Sequence, residues 1–106
     1  MAEAIGNSYL NIIAKSAGIN PVKEVNIYAK RVLQEHKIWD NSYFPKTINS
    51  FNLKEFNYII SVCDIECPII NTDIKQIHLP FKDPKNYYET LEVFYLIKKE
   101  LFNLFL

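Results

Sequence analysis

Cys63 and Cys67 stand four positions apart, and Pro68 follows the second. Such a pair can ligate a metal, form a redox couple, or simply be buried as small hydrophobes. Two ligands do not close a zinc site, and neither His36 nor His78 lies at zinc-finger spacing from the thiols. Asp83 precedes Pro84 just ahead of a helical pattern, and by residue type alone its carboxylate is expected to cap that helix. His36 falls near the expected C-terminus of another helix, where an imidazolium is favourable on electrostatics alone. His78 falls on an expected strand edge. Arg31 is the single arginine, so any site needing a bidentate guanidinium clamp has one candidate.

The rest of the composition narrows the function classes. The 106 residues are one domain's worth, with 49% hydrophobic and 23% charged residues, a globular composition. Twelve basic residues balance 12 acidic ones, which excludes a nucleic-acid binder driven by counterion release and argues against a polybasic membrane surface. Two glycines, Gly6 and Gly18, are too few for a glycine-rich nucleotide loop. No apolar run is long enough to span a bilayer. Nor does the start of the sequence show a positive region followed by an apolar core. Paired cysteines in such a sequence point to a reducing, cytoplasmic setting.

The elements that must position these residues follow from periodicity and punctuation. A short helix is expected over Ala2 to Tyr9, weakened by Gly6, and a strand over Leu10 to Ala14. Val25, Tyr28, Ala29, Val32 and Leu33 have helical spacing, predicting a helix from Lys23 to His36. Trp39 to Lys46 reads as a loop, with Trp39 a packing residue near the site's rim, and Thr47 to Phe56 as a short helix. Tyr58 to Cys63 is a β-branched, nearly all-apolar run of the kind found in parallel strands buried on both faces. Residues 64–72 read as a loop, 74–79 as a short strand and 80–86 as a second loop. Tyr87, Leu91, Phe94, Leu101 and Phe105 predict a long final helix, with at least one of Tyr87 and Tyr88 in the core. Alternation of helices and strands predicts an α/β fold, three-layered, with a parallel sheet.

The ordered set of motifs resembles the arsenate reductases of the low-molecular-weight protein tyrosine phosphatase superfamily. Met1-Ala2-Glu3-Ala4, Ser16-Ala17-Gly18, Pro21 and Val25-Asn26 resemble the family's opening. Phe56 to Asp64 resembles its third strand with the cysteine at the end, and Cys67-Pro68 its Cys-Pro pair. His78, Phe81 and Asp83-Pro84 resemble its His-x-x-Phe-x-Asp-Pro segment, and Phe94 with Lys98 to Leu101 its last helix. The resemblance spans essentially the whole chain.

That resemblance implies roles. Asp83 takes the place of the general acid that protonates the leaving oxygen. Cys63 and Cys67 take the places of the two redox cysteines, which relay a disulfide to thioredoxin or a glutaredoxin-like donor; no bound cofactor is implied. Only three residues separate the pair here, fewer than in the family loop. The substrate implied is an oxyanion, arsenate or phosphate. The family's nucleophile lies in a Cys-x5-Arg loop whose backbone N–H groups and arginine cradle that oxyanion. Here the sixth residue after Cys63 is Ile69 and after Cys67 is Asp73, so neither cysteine fits. The expectation is therefore a domain lacking its first, central strand and nucleophile loop, and inactive alone. The alternative is a non-catalytic interaction or ligand-binding module, pairing with a second copy through unpaired strand edges. A thiol redox module using Cys63 and Cys67 alone is a third expectation.

Overall fold

The computed structural model describes residues 1–17, 26–62 and 72–106. They form two compact units, one of residues 1–48 with 84–106, the other of residues 49–83.

The first unit is helical. Helix α1 spans Ala2–Tyr9, α2 spans Ile27–Glu35 and α3 spans Tyr87–Phe105, and α3 packs against both others. The long helix has the expected limits, because its start is closed by side chains. Asn86 Oδ1 accepts from the Glu89 N–H at 2.9 Å, and Glu89 Oε2 accepts from Asn86 Nδ2 at 3.0 Å. Asn86 is thus the N-cap, and Glu89 Oε1 also accepts from the Lys85 N–H at 3.2 Å. The apolar stripe of α3 buries Phe94, Ile97 and Leu101, and the two helices packed on it bury Ile5 of α1 and Val32 and Leu33 of α2. Fully buried side chains of this size each contribute about 1.5–3 kcal/mol of hydrophobic stabilisation. Tyr87 is half-buried and Tyr88 is 79% exposed, so neither tyrosine joins the buried core as expected.

Two boundaries differ from the sequence expectation. Helix α2 begins at Ile27, because Asn26 Oδ1 accepts from the N–H groups of Tyr28 and Ala29 and makes residue 26 the N-cap; Lys23 to Val25, where its start was expected, lie outside the described residues. The expected strand at Leu10 to Ala14 is absent. Instead the chain turns back over α1, and Asn7 takes both backbone groups of Ala14, its Nδ2 donating to the carbonyl and its Oδ1 accepting from the N–H, each at 2.9 Å. With both groups held by one side-chain amide, Ala14 is not free to join a ladder there. The segment Leu10 to Ala14 therefore offers no strand edge for pairing with a second copy.

The end of α2 is closed by a backbone motif. Lys37 adopts φ 61°, the Ile38 N–H donates to the Leu33 carbonyl at 2.9 Å, and the Lys37 N–H donates to Gln34 at 3.0 Å. These are the two bonds of a Schellman cap, with a lysine where glycine is usual.

The expected helix at Thr47 to Phe56, most of which falls in the second unit, is two short 3-10 turns, Ile48–Ser50 and Leu53–Glu55. Asn52 begins the second by accepting from the Lys54 N–H at 3.3 Å. Strands β1 (Tyr58–Ser61) and β2 (Lys75–His78) pair in parallel, as the apolar run at 58–63 predicts. β1 is not buried on both faces, however: Tyr58 is 45% exposed and its neighbours only half-buried. A β-branched apolar run reports strand propensity more securely than it reports how many faces are covered.

Candidate functional site

In the second unit the parallel register sets the candidate site. Ser61 and His78 are the last paired residues of β1 and β2, and the Leu79 N–H extends the ladder by donating to the Ser61 carbonyl at 2.8 Å. Both strands therefore run out at the same edge of the sheet. In α/β folds, ligands bind outside the carboxyl ends of the strands. Asp83 lies five residues beyond His78, and both are exposed. Cys63 comes two residues after Ser61 in sequence, but Cys63 and Cys67 lie outside the described residues.

Asp83 is not the cap of α3. That role belongs to Asn86, and Pro84 stands three residues before the first helical residue instead of opening the helix. The capping explanation for Asp83, favoured by residue type alone, therefore falls away.

The first unit, by itself, holds a buried polar cluster to which the sequence assigned no role. Glu3, in the first turn of α1, is only 8% exposed. Its Oε1 accepts from the Ser16 hydroxyl at 2.7 Å, and its Oε2 lies 3.7 Å from Lys46 Nζ. A buried carboxylate is tolerable because both oxygens meet a donor or a cation. Lys46 Nζ also sits 4.9 Å from the centre of the Phe44 ring. Around Glu3, Ala4, Ser16, Leu33, Trp39, Tyr43, Phe44 and Pro45 a cavity of about 100 Å³ opens. Burial pushes the Tyr43 phenol upward, with Glu3 and Asp40 adding repulsion and an Asn7 hydrogen bond opposing it. The signal available in the sequence was Glu3 and Ser16 themselves, present in the matching motifs; Lys46 gave none.

The remaining candidates have structural roles. His36 closes α2: its Nδ1 donates to the Val32 carbonyl at 2.8 Å, Nε2 lies 3.1 Å from the Tyr95 hydroxyl, and its ring packs on Phe94 at 4.4 Å. Arg31 reaches Glu35 at 3.6 Å and lies over the Tyr87 ring at 4.1 Å, so the single arginine serves the contact of α2 with α3. Tyr87 donates to Glu35 Oε1 at 2.6 Å. That bond to a carboxylate holds the Tyr87 phenol above its usual range. Trp39 donates to Asn41 at 2.9 Å, stands edge-on to Tyr43 and lines the cavity.

Comparison with known proteins decides the family. The model of the low molecular weight phosphotyrosine protein phosphatase family matches residues 1–105. The chain belongs to that family. No curated protein matches it. Among solved structures, the crystal structure of an arsenate reductase from Archaeoglobus fulgidus DSM 4304 superposes with a TM-score of 0.77 at 27% identity. That match covers 94% of this chain and 86% of the other. A second arsenate reductase, in its reduced state, superposes with a TM-score of 0.77 at 20% identity, covering 97% and 83%. The fold is thus the α/β fold of the low-molecular-weight phosphatases, and the chain is arsenate reductase-like. Among the described residues no helix is long and apolar enough to cross a membrane.

Proposed function

We propose that this chain carries the redox and general-acid half of an arsenate reductase-like site, and that its 106 residues alone turn over neither arsenate nor aryl phosphates. The observation that supports this reading is that Asp83 follows the last paired residue of β2 by five positions in the sequence and has no part in capping α3. Asp83 is then the proton donor to the leaving oxygen. Cys63 and Cys67 are the pair that ends as a disulfide, to be reduced by thioredoxin or a glutaredoxin-like donor in the cytoplasm. The oxyanion is then held beyond the carboxyl ends of the strands. The nucleophile must come from a Cys-x5-Arg loop, and neither cysteine of these 106 residues has arginine at the sixth following position.

The test is an assay of this chain for arsenate reduction with reduced thioredoxin, and for aryl phosphate hydrolysis. No turnover of either is expected, and turnover of either would overturn the claim of inactivity. Mass spectrometry after mild oxidation reads the redox pair separately: a Cys63–Cys67 disulfide is expected, and its absence removes the relay.

The absent nucleophile motif also favours a second reading, a non-catalytic interaction module whose partner is a second copy of the chain. Sedimentation separates the two, since a folded monomer at all concentrations would exclude self-association.

A further inference from the structure

We draw no further inference here: the strongest candidate, the cavity between the first turn of α1 and the Trp39–Pro45 loop, belongs to the site already described, and its buried carboxylate is satisfied by Ser16 and Lys46 of the chain itself.

Discussion

Asn7 grips Ala14 through two hydrogen bonds of 2.9 Å, donating to its carbonyl and accepting from its N–H. One side chain on α1 thereby holds the returning segment in place of a strand neighbour. Asn7→Ala removes both bonds at an exposed position and is expected to cost about 1–2 kcal/mol. Asn7→Asp keeps the acceptor and loses the donor, so it should fall between the two. Chemical denaturation followed by circular dichroism checks the order.

Gly6 sits where the returning segment comes nearest to α1. A Cβ built there would lie 2.9 Å from the Ala14 Cβ and 3.3 Å from Ile12 Cδ1. Helix propensity alone would make Gly6→Ala stabilising by up to about 1 kcal/mol. The overlap with Ala14 reverses that sign, and a lowered Tm is expected. Combining it with Ala14→Gly, which removes the opposing methyl, should recover much of the loss.

Glu3 and Lys46 form a pair in which each side chain is at most 15% exposed. Removing one partner strands the other's charge in a poorly solvated place. Lys46→Met and Glu3→Gln are each expected to cost about 3 kcal/mol. The double variant should be less destabilised than the sum, because no charge is then left unpaired. A double-mutant cycle on unfolding free energies gives the coupling.

Asn86 and Asp83 offer a direct contrast. Asn86→Ala removes the N-cap of α3 and is expected to cost about 1 kcal/mol. Asp83→Ala touches no cap and should leave stability within about 0.5 kcal/mol. Equal losses from the two variants would return Asp83 to a capping role.

Lys37 holds the left-handed position of the α2 cap at φ 61°. Glycine there carries no Cβ penalty, so Lys37→Gly is expected to raise stability by about 1 kcal/mol. Thermal unfolding reads this directly.

Two tyrosines should titrate late. Burial raises the Tyr43 phenol above its ordinary value near 10, and the bond to Glu35 raises that of Tyr87. A folded-state value above the unfolded one means that the contribution to stability is whole below pH 10 and fades as pH climbs through the raised value. Ultraviolet titration of the phenols is expected to show a component beyond the ordinary range, and Glu35→Gln should lower the Tyr87 part of it. An unchanged titration in that variant would count against the Tyr87–Glu35 bond.

Sequence alone determined α3, the α/β class, the parallel pairing of β1 with β2 and the family motifs around Asp83. These rest on local information: a helical stripe through Phe94 and Leu101, β-branched runs, and residues met in fixed order. Tertiary structure decided the rest. Leu10 to Ala14 has the residues of a strand, but the amide of Asn7 claims the backbone of Ala14. The Glu3–Ser16–Lys46 cluster joins positions 13 and 43 residues apart, and no spacing rule links them. Asp83 and Asn86 are both plausible caps by type, and only the hydrogen bond from the Glu89 N–H selects Asn86. Periodicity records which face of an element is apolar; which polar group reaches which partner depends on distances that only the folded chain sets.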